Sequence, residues 1–249
     1  MKTKLLYMDD SYLKEFDAQV LEVNGERNAV MLAATLFYPQ GGGQPCDTGK
    51  LVVKEADCAE GGDASSAEYT VKEVKKEAGE VWHYLDRQPA FAAGASVHGV
   101  LDWERRYAHM RMHTAAHVLA GGFMAPHGAL ITGNQLGTDQ TRFDFALENF
   151  DRELMERMVA QANAKLAEGL EVKVYALPRE EAMKIPGIVK LANALPPAIS
   201  ELRIVDIGGF EVQADGGTHV KNTKECGRIV ITKMENKGKD NRRIYFGLE

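Results

Sequence analysis

Three of the chain's seven histidines fall in one stretch, His109-Met-Arg-Met-His113-Thr-Ala-Ala-His117. Positions i and i+4 on a helix lie one turn apart on the same face, so two imidazoles at that spacing can hold one metal ion between them. The pairs His109/His113 and His113/His117 satisfy the spacing equally well, and an isolated pair fits a surface stripe of histidines just as well. Further donors stand in Asp215-Gly216-Gly217-Thr218-His219. Two glycines between a carboxylate and an imidazole are expected to let the backbone turn tightly and aim both side chains at one point. His113, His117, Asp215 and His219 would then form a tetrahedral, nitrogen-rich site that suits Zn2+. Cys226 is the rival fourth ligand; its plain alternative is a small residue packed near a strand start.

These donors need elements to position them. Asp102 can cap a helix from Trp103 to about Phe123. A second helix is expected over Asp151–Glu168, where Leu154, Met155, Met158, Val159, Ala162 and Leu166 share one face at three- and four-residue spacing, and Gly169 ends it. Beyond it the pattern predicts a strand over Glu171–Ala176, a short helix near Arg179–Lys184, a loop at Pro186-Gly187, and strands around Arg203–Ile207, Gly227–Lys233 and Arg242–Phe246. Before Asp102 the chain reads as short strands, Gln19–Val23, Ala29–Phe37, Lys50–Lys54, Tyr69–Val74, Val81–Leu85 and Ser96–Leu101, with an exposed hairpin tip at Glu60–Ser66. The fold class is therefore α+β: an N-terminal small β-barrel over residues 1–98, then an α+β zinc-binding domain over 99–249, without an internal repeat.

Composition narrows the function class. The 249 residues suffice for one large domain or two modest ones, and no apolar run approaches the roughly 18–20 residues that cross a bilayer. Asp9 and Asp10 interrupt the N-terminal apolar stretch where a secretory signal would continue, and three widely spaced cysteines suit a reducing cytosol, so a cytoplasmic location is expected. The formal net charge is −6, and residues 1–100 hold all of that excess, with 10 Lys+Arg against 16 Asp+Glu. Residues 221–243 carry eight basic side chains against three acidic ones, compatible with RNA or with an ordinary solvated surface.

The stretch Trp103-Glu-Arg-Arg-Tyr-Ala-His-Met-Arg-Met-His-Thr-Ala-Ala-His-Val-Leu resembles the H-T-x-x-H helix of the editing domain of alanyl-tRNA synthetases and of their free-standing relatives, the AlaX trans-editing proteins. Asp215-Gly-Gly-Thr-His219 is similar to the family's second metal motif, usually written Cys-Gly-Gly-Thr-His, with aspartate in place of cysteine. Phe37-Tyr-Pro-Gln-Gly-Gly-Gly-Gln-Pro-Cys-Asp-Thr-Gly49 resembles its glycine-rich motif, and Thr141-Arg-Phe-Asp-Phe145 its Leu-Arg-Phe-Asp-Phe segment. The four motifs run in family order from residue 37 to 219, and the length leaves no room for an ATP-dependent aminoacylation domain, which implies the medium-length AlaX type.

The resemblance implies a zinc-dependent aminoacyl-tRNA deacylase acting in trans on tRNA(Ala) mischarged with serine or glycine, with no catalytic group assigned beyond the metal site. Selecting serine over alanine requires hydrogen bonding to a hydroxyl, which discriminates strongly because an analogue lacking it leaves a polar partner unpaired. Thr132 and Gln135, in the polar loop Thr132-Gly133-Asn134-Gln135, are the candidates for that task. By resemblance Gly42, Gly43 and Gln44 approach the substrate from the barrel. Arg105, Arg106, Arg111, Lys221 and Lys224 are candidate RNA contacts. Two other readings remain at this level: a non-catalytic tRNA-binding module with a structural zinc, and a zinc hydrolase of small esters or amides.

Overall fold

The structure, a computed structural model, describes residues 2–53, 68–124, 127–147, 152–188, 200–238 and 241–249. Lys54 and the Glu60–Ser66 segment lie outside the described residues. The chain divides into two compact units, Met1–Tyr107 and Ala108–Glu249, and the division falls inside the first long helix.

The first unit begins with β1 (Lys4–Leu5), followed by β2 (Glu15–Asn24), β3 (Ala29–Leu32), β4 (Ala34–Thr35), β5 (Gly49–Val53), β6 (Glu68–Glu77), β7 (Glu80–Leu85) and β8 (Ser96–Leu101). Six of these close into a barrel in the order β2-β3-β7-β6-β5-β8, as the run of short β-branched segments predicts. The alternation expected of a half-buried strand is clearest in β8, where Val97, Gly99 and Leu101 point inward. Val30, Leu32, Leu36, Phe37, Leu51, Val71, Val74 and Val97 are fully excluded from solvent inside the barrel, and burying each aliphatic or aromatic side chain contributes about 1.5–3 kcal/mol. Gly99 is required there: a Cβ would sit 2.2 Å from Cε1 of Phe16. The single strand expected over Ala29–Phe37 is instead two. β3 pairs with β2 and β7, whereas β4 leaves the barrel ladder to pair in parallel with β1.

Two buried polar groups stiffen this unit. His83 on β7 is fully buried; its Nδ1 lies 3.2 Å from the Val30 carbonyl and its Nε2 2.8 Å from the Thr35 hydroxyl, which also accepts from the Phe37 N–H. The neutral ring, donating from Nδ1 and accepting at Nε2, satisfies all three partners, and burial pushes its pKa down to about 4 against the pull of the Val30 carbonyl. The other group is Arg106, on the first turns of α1 (Trp103–His117), a helix capped as expected by Asp102, whose Oδ1 accepts from the Arg105 N–H at 3.2 Å. Arg106 was expected as a phosphate contact, and the structure corrects this. Its guanidinium is wholly buried, forks onto both oxygens of Asp47 (Nε at 3.1 and 3.0 Å), and donates to the carbonyls of Ser11 and Leu36. Asp47 in turn accepts from the Tyr38 N–H at 2.6 Å. The pair ties α1 to the segment that carries the glycine-rich motif.

The second unit continues α1 from Ala108. The helix, expected to run to about Phe123, widens after His117 into a π-helical segment, Val118–Met124. A four-stranded antiparallel sheet is ordered β14 (Ile229–Asn236), β15 (Asn241–Leu248), β10 (Thr141–Ala146), β9 (Leu130–Gln135). The helix α2 (Arg152–Ala167) buries Met155, Met158, Val159, Ala162 and Leu166, the face its sequence periodicity marks, and Asn163 brackets Ile229 with two hydrogen bonds of 2.7 and 2.8 Å. A three-stranded sheet is ordered β11 (Val172–Pro178), β12 (Glu201–Ile207), β13 (Glu211–Ala214), with the short α3 (Arg179–Ala182) following β11. Among the described residues no helix is long and apolar enough to cross a membrane.

Two stability outcomes follow. Asp47→Ala leaves a buried guanidinium without its counter-charge and is expected to cost about 3–5 kcal/mol in urea unfolding, whereas the double replacement Asp47→Leu with Arg106→Met removes the uncompensated charge but recovers only part of that loss, because the Ser11 and Leu36 carbonyls and the Tyr38 N–H lose their partners. The unfolded chain holds a proton on His83 below about pH 6.5 and the folded chain only below about 4, so stability is intact above 6.5, falls as pH drops through that window by about 3 kcal/mol, and levels off below it. His83→Gln should remove that component from the pH dependence of the unfolding free energy; an unchanged slope between pH 6.5 and 4 contradicts it.

Candidate metal centre

The turn of α1 that carries His113 and His117 faces the loop that follows β13, and the side chains of His113, His117, Asp215 and His219 meet there with their ligand atoms within 4.8 Å of one another. Asp215 is the hub. Its Oδ1 lies 3.5 Å from Nε2 of both His113 and His117, and its Oδ2 lies 3.6 Å from Nε2 of His219. The three rings pack at centroid distances of 4.4 to 4.9 Å, with His113 and His219 stacked. Of the two spacings open in the sequence, the structure brings the 113/117 pair into this group; His109 is buried one turn earlier, outside it. Cys226 also lies outside it, fully buried in the turn Thr223–Cys226, where burial pushes the thiol up to about 12.

The reason for the glycines differs from the one the sequence suggests. Neither Gly216 nor Gly217 adopts a left-handed conformation. What Gly217 supplies is space: a Cβ there would lie 2.2 Å from Cε1 of His113 and 2.9 Å from Oδ2 of Asp215. The loop therefore runs directly against the imidazole it must face. Its N–H at Gly217 donates to Asp215 Oδ2.

Three further residues hold the donors, and none is marked by sequence spacing. Buried Glu211, at the start of β13, accepts from His117 Nδ1 at 3.3 Å. The Thr114 hydroxyl lies 3.1 Å from His219 Nδ1 and accepts from the Val220 N–H at 3.2 Å. Arg203 grips Asp215 through the backbone, its carbonyl accepting from the Asp215 N–H at 3.1 Å and its Nη1 donating to the Asp215 carbonyl at 3.0 Å. With Nδ1 of His117 and His219 turned to oxygen partners, Nε2 of each ring is left to point at the centre. Thr114 lies inside the H-T-x-x-H stretch and its position there is the only sequence signal for any of the three.

Electrostatics sharpen the picture. Burial drives the His113 imidazole well below its ordinary pKa despite Asp215, and drives His219 down to about 4 against the pull of the Asp215 carboxylate. Burial pushes His117 the same way, but Asp215 and Glu211 outweigh it and hold its pKa at about 9. Burial opposes ionisation of Asp215, and the neighbouring histidines, His113 first, overcome it and keep the carboxyl well below the usual range. His219 Nε2 is buried and makes no hydrogen bond. A buried ring nitrogen without a partner carries a desolvation cost that a cation at the centre would remove. Three imidazoles, one of them with that unpartnered nitrogen, and one carboxylate fit a divalent metal, zinc among them.

The other candidate residues are placed as follows. The segment expected as a polar loop at Thr132–Gln135 is part of β9. Gly133 pairs with Asp144 and Ile131 with Phe145, so Thr132 is the extra residue of a bulge, which by register moves it to the side of the strand that carries Gly133 and Gln135. Both Thr132 and Gln135 are exposed. Gly41–Gln44 forms a tight turn closed by hydrogen bonds of 2.8 and 3.1 Å, with Gly42 and Gly43 at positive φ; Gly42 is exposed, Gly43 partly so, and Gln44 buried. Arg105 donates to the Cys46 carbonyl and Arg111 to the carbonyls of Glu225 and Cys226, so each is partly committed within its own unit. Lys221 and Lys224 are exposed. In the basic segment, Arg242 is buried, Arg243 pairs with Asp144, and Lys233 and Lys237 share Glu235.

Comparison with known proteins bears on this geometry. A family model described as the threonyl and alanyl tRNA synthetase second additional domain matches residues 202–245, which include Asp215 and His219, and one described as tRNA synthetases class II (A) matches residues 4–105. An alanyl-tRNA editing protein AlaX-M of Saccharolobus solfataricus is 46% identical over 98% of this chain and 98% of its own length, and one of Methanosarcina barkeri is 46% identical over 99% of each. An alanine-tRNA ligase of Pyrococcus furiosus is 37% identical over 98% of this chain, which corresponds to 26% of the ligase. On identity at that level across nearly the whole of both chains, this protein belongs to the AlaX-M family of alanyl-tRNA editing proteins.

Proposed function

We infer that this chain is an aminoacyl-tRNA deacylase that removes serine, and also glycine, from mischarged tRNA(Ala), with zinc held by His113, His117, Asp215 and His219. The observation that carries the reading is the convergence of three buried imidazoles and a carboxylate, one ring nitrogen lacking any hydrogen bond, in a chain of this family. Zinc bound there would supply a Lewis acid able to polarise an ester carbonyl, lower the pKa of a water, or anchor an amino group. Glu211 and Thr114 fix the ring orientations of His117 and His219, Arg203 holds the Asp215 backbone, and Gly217 keeps the loop close enough for all four donors to meet.

Thr132 and Gln135 are the proposed readers of the substrate hydroxyl, now from a bulged strand and not a loop. A strand held by its ladder to β10 offers such groups in a fixed position, and a fixed polar partner is what makes alanine a poor substrate. Lys221 and Lys224, with the exposed parts of Arg105 and Arg111, are the proposed phosphate contacts to an acceptor end recognised through shape, stacking and the 2′-hydroxyl. Gly42 and Gly43 keep the substrate-facing role that the family resemblance implies, and buried Gln44 shapes their turn. A soluble, cytoplasmic setting follows from this reading.

The four-donor set also favours a second reading, a tRNA-binding module whose zinc is structural, because closed sites of four protein ligands are the usual structural arrangement. Incubation with serylated and alanylated tRNA(Ala) separates the two: the first reading expects serine release well ahead of alanine release, and binding without hydrolysis supports the second. His113→Ala should lose zinc and activity together. Glu211→Gln, which removes the carboxylate charge behind His117 Nδ1, should lower metal affinity by about 10–100-fold. If Lys221 and Lys224 each neutralise a phosphate, replacing either by alanine lowers the slope of log affinity against log salt by about 1, uniformly across tRNA sequences.

A further inference from the structure

Among the described residues, which do not include Cys58, the centre contains no sulfur donor. Cys46 and Cys226 are buried and outside the group, so its chemistry is set by nitrogen and one carboxylate. The two oxygens of that carboxylate are not equivalent. Oδ2 accepts the Gly217 N–H of its own loop, whereas Oδ1 stands 3.5 Å from Nε2 of both His113 and His117. Arg203 clamps the backbone of Asp215 at both its N–H and its carbonyl, which fixes where the side chain starts, and the Gly217 N–H on Oδ2 holds the carboxylate itself.

Building on the reading that these four residues hold a metal, we propose that Asp215 ligates it directly through Oδ1 alone, and that the resulting three-nitrogen, one-oxygen centre selects borderline and harder divalent cations over thiophilic ones. A carboxylate concentrates its charge on small oxygens and does not share electron density with a soft cation as a thiolate does. Zn2+, Co2+ and Mn2+ therefore gain relative to Cd2+ in this chain. The Gly217 N–H on Oδ2 favours monodentate attachment, which keeps the protein donors at four.

The test is titration of the full chain with Co2+, read by absorption, and equilibrium competition between Cd2+ and Mn2+, on the wild type and on Asp215→Cys and Asp215→Asn, with circular dichroism to check each fold. The expected wild-type spectrum has ligand-field bands and no sulfur-to-cobalt charge-transfer band. Asp215→Cys should acquire that band and shift its preference toward Cd2+ by on the order of tenfold or more, and Asp215→Asn should bind Co2+ on the order of 10–100-fold more weakly. Unchanged Co2+ affinity in a folded Asp215→Asn overturns the proposal while leaving the metal reading intact, as loss of binding in His113→Ala would show. A sulfur band in the wild type overturns it in favour of a cysteine ligand. Absence of any Co2+ binding to the wild type overturns both the proposal and the metal reading. Should Asp215→Asn fail to fold, the band and preference of Asp215→Cys decide the outcome, and a folded Asp215→Cys without either contradicts the proposal.

Discussion

Asp215 lies within 3.6 Å of three buried imidazole nitrogens, and much of the second unit is arranged around making that gathering tolerable. Burial alone would strip charge from every member, yet the histidines keep Asp215 ionised and the carboxylates Asp215 and Glu211 keep a proton on His117. The group is thus a partly neutralised knot of donors, with His219 Nε2 left over. The surrounding elements answer to it: α1 stacks two histidines one turn apart, β12 supplies Arg203 to hold the loop, β13 starts on Glu211, and Gly217 gives up its side chain so that the loop can touch His113.

The barrel unit uses a buried charge to a different end. Arg106 and Asp47 satisfy one another and three backbone carbonyl or amide partners besides, so nothing is left over for a ligand. A charge cluster with every donor matched is a structural tie; a cluster of ligand atoms that includes a buried nitrogen without a hydrogen bond points to a cation. That contrast, between two buried polar groups of the same chain, is why one is assigned to folding and the other to chemistry.

Local periodicity made much of this legible in advance. The i, i+4 histidines, the Asp102 cap and the apolar face of α2 all depend on a single helical repeat, and all three are present. The barrel strands were visible because β-branched runs alternate with turn residues. What escaped was whatever depends on a partner far along the chain. Nothing local distinguishes Arg106 from its neighbour Arg105, yet one is sealed against Asp47 and the other is partly exposed. Thr132–Gln135 is polar and carries a glycine, so it reads as a turn; pairing with β10 overrides that propensity and adds a bulge. Gly217 was recognisable as necessary, but for the wrong reason, because steric exclusion by His113 has no signature in the glycine's own neighbours. Glu211 was missed altogether, being one acid among many until β13 carries it beneath His117.

The central claim is that one divalent cation sits among His113, His117, Asp215 and His219. Anomalous diffraction at the zinc edge from crystals of the metal-loaded chain tests it most directly. The account predicts a single strong peak within coordination distance of all four side chains, with Glu211 and Thr114 still on the far nitrogens of His117 and His219. A peak at Cys226 or His109, or none at the four-residue cluster, would contradict it.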